Sequence, residues 1–247
     1  NEMLQTLNMI DNQHLDVRTI TMGISLRDCA HPDPKESCRL IYEKMTRLAE
    51  KLVPAGEAIE KEFGIPIVKK QDISLQDISL IACSDTQSNA SDINKQSGVH
   101  FFVDDYRFEN IYRNPERSLK KYSQYAFLLT PDFSTYAEMN TWRQIESIAH
   151  SRWVGAYWQS QGLKVIPTVT WSTPSSYEYC FDGIEKHSIV AVGMIGCKNN
   201  RFNFMNGYNE MLKRIEPEKV ICFGKPFNEM KGNIITVDYL KSRKVVR

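Results

Sequence analysis

Carboxylates follow two successive apolar runs in the second half of the chain. Asp104 and Asp105 come directly after the strand-like run 99–103, and Asp132 comes shortly after the run 125–129. Because successive strand residues point to opposite faces, one of the two adjacent carboxylates should face the strand end. Together with Asp132 it would form a pair able to act as general acid and base. Asp104, Asp105 and Asp132 are therefore the catalytic candidates.

A purely structural role for the same residues stays open. In this alternative Asp105 pairs with Arg107, two residues later, and Asp132 caps a helix that begins at 133–135. Aspartate is among the preferred residues at helix N-termini, which gives the alternative a physical basis. The sequence does not identify a cofactor or a metal, and Mg²⁺ is the candidate because carboxylates are its usual ligands.

Five residues are candidates for binding a ligand: Arg107, Gln159, Trp171, Ser172 and Lys225. Trp171 and Ser172 follow the third apolar run, where an indole could stack on a planar ligand. The equal alternative is a large side chain that plugs the end of the sheet. Lys225 follows the fifth run, where it could meet an anion, and a solvated lysine is the alternative. Packing does not readily account for Gln159, near the end of a predicted helix.

A cysteine follows the fourth apolar run. Cys197 comes directly after Gly196, where a neighbouring helix N-terminus could lower the pKa of the thiol. No histidine stands beside it in the sequence to support a nucleophile. The pattern therefore favours an inert thiol.

These candidates depend on strands that alternate with helical stretches. The apolar runs are 99–103, 125–129, 164–169, 188–192 and 220–223. Parallel strands need crossover connections, usually helices, so the alternation predicts an α/β fold. We expect a parallel sheet with β/α units, open or partly closed into a barrel, with these five runs as its core strands. Ligands lie at the carboxyl ends of the strands in such folds, so the candidates should converge there.

A small β-α-β unit is predicted before this sheet. Its first strand is the β-branched run 16–25, and its second is 65–68. Asp33 can cap the intervening helix, with Pro34 at the first helical position.

The composition changes at 84–97, which begins with small polar residues and lacks periodicity. We interpret this segment as a linker between an N-terminal unit, 1–83, and an α/β domain, 98–247. Such a linker would be mobile, with few contacts across it.

The overall composition limits the class of protein. Hydrophobic residues make up 42% of the chain, and 31 lysines and arginines balance 30 acidic residues. This near-neutral charge makes nucleic acid a less favoured partner. No apolar stretch reaches the roughly 20 residues of a membrane span, so no membrane partner is expected. The six cysteines contain no C-x-x-C pair, which fits a reducing cytoplasm.

The first part of the chain resembles a bacterial family of uncharacterised proteins, family 0210. The matching stretches are 16–26 and 63–68. Members of that family are much longer, and their barrel looks like that of glycyl radical enzymes. Because most of that barrel has no counterpart here, the resemblance implies no activity for this chain.

The second part is similar to a different family, the domain of unknown function family 4417. The stretches that carry this resemblance lie between residues 98 and 239: 98–108, 131–134, 155–162, 165–171 and 181–184. The resemblance supplies no reaction. Two families in one chain imply either a natural fusion or a join made in assembling the sequence.

Three functions remain open for this uncharacterised bacterial α/β protein. The first is an enzyme or binding protein for a small polar or phosphorylated ligand at the strand ends. The second is a nucleic-acid-associated module that uses Lys120, Lys121, Arg201 and the basic segment 241–244. The third is a non-enzymatic interaction protein whose aromatic residues all belong to the core. No nucleotide-binding fingerprint is present to decide between them.

Overall fold

A computed structural model of the protein describes residues 63–238. The chain divides into two units, Asn1–Ala55 and Gly56–Arg247, and all described residues belong to the second. The first strand and the helix of the predicted β-α-β unit lie outside the described residues. None of the helices in this part of the chain is long and apolar enough to cross a membrane.

Seven short parallel strands form the centre of the unit. They are β1 (Leu80–Ala82), β2 (Gly98–His100), β3 (Phe127–Leu129), β4 (Val165–Ile166), β5 (Ile189–Gly193), β6 (Lys219–Phe223) and β7 (Ile234–Val237). Strands β1 to β4 form one sheet and β5 to β7 another, each in chain order. A parallel bridge between Thr168 and Ala191 joins the two sheets beyond β4. Strand order therefore follows chain order throughout.

This architecture confirms the predicted α/β class with a parallel, open sheet. The five predicted runs correspond to β2 to β6, and β1 and β7 extend the sheet at its two edges. The strands do not close into a barrel within residues 63–238.

The helices lie in the connections between the strands. They are α1 (Asp92–Lys95), α2 (Asn110–Arg113), α3 (Pro115–Tyr122), α4 (Thr141–Ser160) and α5 (Arg201–Ile215). Proline at the first position of α3 has the fixed φ that a helix start needs. Helix α5 ends at Glu216, whose left-handed conformation (φ 50°) turns the chain toward β6. Since every connection leads to a parallel strand, α4 and α5 begin at the carboxyl edge of the sheet and return to its amino edge.

Alternation along the strands divides the core between two faces. One face is common to both sheets and includes Leu129, Ile166, Ala191 and Phe223, all nearly inaccessible to solvent. On the other face, apolar residues of β1 to β4 pack with α4, and those of β5 and β6 pack with α5. Each fully buried leucine, isoleucine or phenylalanine of this core contributes roughly 1.5–3 kcal/mol to folding.

The segment 84–97, predicted as a linker between domains, connects two neighbouring strands of one sheet. Leu80 of β1 pairs with Gly98 of β2, directly across the segment. Within it, the Ser91 hydroxyl caps α1 by accepting a hydrogen bond from the Asn94 amide at 3.3 Å. The small polar residues therefore serve as turns and caps in a strand crossover, a composition that separate domains also use for linkers.

Candidate functional site

Asp105 is anchored where the chain leaves β2. It begins the short 3₁₀ turn Asp105–Arg107, and its two carboxylate oxygens accept hydrogen bonds from the Ser134 amide and hydroxyl, both at 3.0 Å. Ser134 follows β3, so these bonds tie two strand ends together. Arg107 pairs with exposed Asp104 instead (Nε to Oδ2, 3.8 Å). The alternative in which Asp105 pairs with Arg107 is therefore wrong, because Arg107 pairs with Asp104.

Asp132 is half-buried beyond the end of β3. Burial, together with the neighbouring charge of Asp105, raises the pKa of its carboxyl to about 7, while the charge of Arg152 opposes the rise. No group within residues 63–238 donates a hydrogen bond to this carboxyl. No helix starts at 133–135 either, since α4 begins at Thr141. The capping alternative for Asp132 is therefore wrong, and the carboxyl can gain or lose a proton near neutral pH.

Arg152 supplies the positive charge near Asp132 from a fully buried position on α4. Its guanidinium donates to the backbone carbonyls of Thr168 at 2.9 Å, Cys180 at 3.1 Å and Asp182 at 3.1 Å. Burial lowers the pKa of Arg152 to about 10, which leaves it charged at neutral pH. Sequence reasoning missed this residue. The available signal was a single cation inside the apolar stretch of a predicted helix.

Threonines at the ends of β3 and β4 fix the base of this region. The Thr168 amide donates to the Thr130 hydroxyl at 2.9 Å, and the Thr168 hydroxyl donates to the Thr130 carbonyl at 2.8 Å. The Ser151 hydroxyl of α4 donates to Thr130 as well, at 3.0 Å. Buried bonds of this kind contribute about 1 kcal/mol each, and leaving one partner unsatisfied costs about 1–3 kcal/mol. The two strand ends and α4 are thereby held in one arrangement.

Cys197 brings a third strand end to the same region. It follows β5, and its thiol donates a weak hydrogen bond to the Gly193 carbonyl at 3.5 Å. Burial, and then the charge of Asp132, raises the pKa of the thiol to about 11. The thiol is therefore protonated at neutral pH, in keeping with the predicted inert role.

We call Asp105, Asp132, Ser134 and Arg152 the carboxylate site.

Trp171 packs against α5. Its ring lies 5.1 Å from that of Phe204. A Cβ atom at Gly207 would lie 2.2 Å from the Trp171 ring, so only glycine allows this close approach of the helix. Trp171 is partly buried in this packing, which accords with the alternative of a large side chain at the end of the sheet. The Ser172 amide donates to the Ser176 hydroxyl at 3.0 Å, while the buried Ser172 hydroxyl has no partner in the described part of the chain.

Gln159 and Lys225 lie apart from one another. Gln159 is at the far end of α4, where its side-chain amide exchanges two hydrogen bonds with the Lys69 backbone, each at 2.8 Å. Helix α4 starts at the carboxyl edge, so its last turn lies toward the amino edge of the sheet, away from the carboxylate site. Lys225 follows Gly224 at the end of β6 and is exposed. The structure thus brings Asp105 and Asp132 together and separates Gln159 from them.

Two of the other basic candidates, Lys121 and Arg201, have partners within the fold, and the segment 241–244 lies outside the described residues. The Lys121 ammonium lies over the Tyr122 ring at 4.8 Å from its centroid. Arg201 forms an ion pair with Glu229. Within residues 63–238, no three or more histidine, cysteine or carboxylate side chains are placed so that together they could hold a metal ion. Asp105 and Asp132 could supply two of the oxygen ligands of Mg²⁺, with water or a ligand supplying the others.

Both parts of the chain match families of known proteins. Residues 58–240 match the family described as Domain of unknown function (DUF4417), and residues 8–101 match Uncharacterised ACR (DUF711). The chain is similar to the "Gene 1 protein" of Mycobacterium phage L5, with 42% identity over 130 residues, 51% of this chain and 57% of that protein. The equivalent protein of phage D29 is 40% identical over 130 residues, 51% and 48% of the two chains.

The N-terminal resemblance is also confirmed. A UPF0210 protein of Ruminiclostridium cellulolyticum is 63% identical over 81 residues, which is 33% of this chain but only 18% of that protein. The matched region spans about half the length of the phage relatives. No solved structure matches the chain. Because the DUF4417 match covers well over half of its residues, the chain belongs to the DUF4417 family.

Proposed function

We propose that this domain binds a small polar ligand at the carboxyl ends of β2 and β3 and that Asp132 exchanges a proton with it. The observation that carries this proposal is the Asp132 carboxyl itself. It is half-buried, it receives no hydrogen bond from residues 63–238, and its pKa is raised to about 7. Perturbed groups of this kind are frequent at functional sites because they can act as acid or base near neutral pH.

The charges of the site favour an uncharged ligand over a phosphorylated one. Asp105 and Asp132 would repel a phosphate placed directly between them. The cation nearest to Asp132, Arg152, already uses four of its five N–H groups inside the protein. A hydroxyl or amide on the ligand would instead donate to the Asp132 oxygens, or accept a proton from its neutral form. A phosphorylated ligand would need Lys225 or Mg²⁺ as an added cation.

A ligand screen at two pH values tests this function. We would measure ligand-induced thermal stabilisation of the wild-type chain with polyols, sugars, nucleosides and small amides, at about pH 5.5 and about pH 8.5. Asp132→Asn should weaken binding of an active ligand by on the order of tenfold, the loss of about one charge-assisted hydrogen bond. Asp104→Asn is the matched control, because Asp104 is exposed and follows the neighbouring strand β2. Equal binding by both variants would contradict the proposal.

We also propose that the protein resides in the cytoplasm. The described cysteines, Cys83, Cys180, Cys197 and Cys222, are all free. Free thiols persist where the environment is reducing. Fractionation of cells that express the chain tests this location, and recovery outside the cytoplasm would refute it.

A further inference from the structure

The exposed apolar side chains of the described residues are concentrated at one edge of the sheet. Five of the six follow the carboxyl ends of strands or begin the next helix: Tyr106, Tyr136, Trp142, Ile195 and Phe202. The sixth, Ile93, lies on α1 just before β2, toward the amino edge. Single exposed apolar residues are ordinary, whereas several along one edge of a sheet suggest a surface that binds a ligand.

Tyr136 is attached directly to the carboxylate site. Its hydroxyl lies 3.1 Å from the Ser134 hydroxyl, which in turn lies 3.0 Å from the Asp105 carboxylate. The side chain is nevertheless 62% exposed. The chain thus holds an aromatic ring beside the carboxylates and leaves most of its surface open to solvent.

The arginines at this edge are already engaged with the protein. Arg107 lies over the Tyr106 ring, 5.2 Å from its centroid, and also pairs with Asp104. Arg143 lies over the neighbouring Trp142 ring at 5.5 Å. Arg201, beside Phe202, pairs with Glu229. The carboxylate partners of Arg107 and Arg201 offset part of the positive charge that these arginines would present to a nucleic acid.

The other charged side chains at this edge also bear on whether a polyanionic ligand can bind. Lys198 and Lys225 are exposed cations, and the carboxylates of Asp104, Asp105 and Asp132 oppose them. These carboxylates place negative charge at the carboxylate site itself. A neutral ligand suits this field better than a polyanion does.

We propose that Tyr136 is a stacking residue of the carboxylate site and that the ligand is a neutral sugar ring. This inference rests on the proposed function and names its ligand class. A sugar ring has an apolar C–H face, which can lie on the Tyr136 ring, and hydroxyl groups at its rim. Those hydroxyls can donate to Asp132, which receives no hydrogen bond from residues 63–238. Tyr136 selects the ring, and Asp132 binds its hydroxyl.

Saturation-transfer NMR on the full chain tests this assignment with defined probes. The probes are methyl α-D-glucopyranoside and methyl β-D-galactopyranoside as sugar rings, adenosine as a nucleoside, and erythritol as a polyol without a ring. The wild-type chain should transfer saturation to the ring C–H protons of at least one pyranoside. Tyr136→Ala should weaken that binding by about 3- to 10-fold, the range expected for loss of one aromatic contact.

Three further variants separate the possible outcomes. Tyr136→Phe keeps the ring and should bind the pyranoside within about 2-fold of the wild type, and Ile93→Ala, an exposed change at the other edge, should have no effect. Pyranoside binding that is unchanged in Tyr136→Ala would overturn the inference, as would binding of adenosine alone. If erythritol still binds and loses affinity in Asp132→Asn, only the sugar-ring assignment has failed. If no probe depends on Asp132, the proposed function has failed as well.

Discussion

Asp132→Asn should stabilise the protein at alkaline pH and have little effect at acidic pH. The pKa of the Asp132 carboxyl is raised from 3.8 to about 7 in the folded state. The folded state therefore holds a proton that the unfolded state releases. This contribution to stability is fully present below about pH 4 and is lost as the pH rises through about 7. Above that pH the protein must hold an unfavourable charge, which asparagine does not carry.

The size of the effect follows from the pKa difference. A rise of about 3 pKa units corresponds to at most about 4 kcal/mol, at 1.36 kcal/mol for each unit. Asp132 is only half-buried, and an asparagine amide also needs hydrogen-bond partners. We therefore expect the variant to gain on the order of 1–2 kcal/mol at about pH 8.5 and much less at about pH 5.

Urea unfolding of the wild type and the variant at both pH values measures this gain. Asp104→Asn serves as the control, because it makes the same substitution at an exposed carboxylate that follows the neighbouring strand β2. A free energy of unfolding that differs between wild type and Asp132→Asn by the same amount at both pH values would refute the reasoning. So would a variant that is less stable than the wild type only at the higher pH.

Three other predictions concern the fold. Burial lowers the pKa of His100 from 6.5 to about 3, so the folded protein should lose stability as the pH drops below about 6.5. His100→Leu should reduce this loss, as measured by acid unfolding curves. Gly207→Ala should lower the free energy of unfolding by on the order of 1–3 kcal/mol, because the new Cβ would lie 2.2 Å from the Trp171 ring. Chemical denaturation measures this change, and an unchanged midpoint would contradict the packing. A fragment comprising 98–247 should show no cooperative thermal transition, because it lacks β1 and exposes the edge of β2. A cooperative transition would instead support the predicted domain boundary at 84–97.

The strand pattern could be predicted because it depends on local periodicity. Apolar runs separated by helical stretches indicate parallel strands, and parallel strands place their carboxyl ends at one edge. This reasoning was sufficient to associate one of Asp104 and Asp105 with Asp132, and in the structure the charge of Asp105 acts on the Asp132 carboxyl. It identified an edge of the sheet and two of the side chains there.

The partners of those side chains could not be predicted, since they depend on rotamers and long-range packing. Arg107 is two residues from Asp105 and three from Asp104 in the sequence, yet the turn after β2 pairs it with Asp104. Trp171 and Gln159 have polar atoms or flat rings suited to ligands, yet α5 and the Lys69 backbone occupy them. Residue type shows what a side chain can bind, and the fold determines what it meets first.

Arg152 and Asp132 illustrate how the fold leaves one group available for a ligand. A buried arginine near a half-buried aspartate would ordinarily form an ion pair, which would lower the pKa of the carboxyl. Here the Arg152 donors are taken by the carbonyls of Thr168, Cys180 and Asp182, while its charge still acts on Asp132. The protein thereby moderates the pKa of Asp132 without supplying it a hydrogen bond. A carboxyl in this state is less favourable for stability at neutral pH, and a hydroxyl-bearing ligand is the partner that would offset the difference.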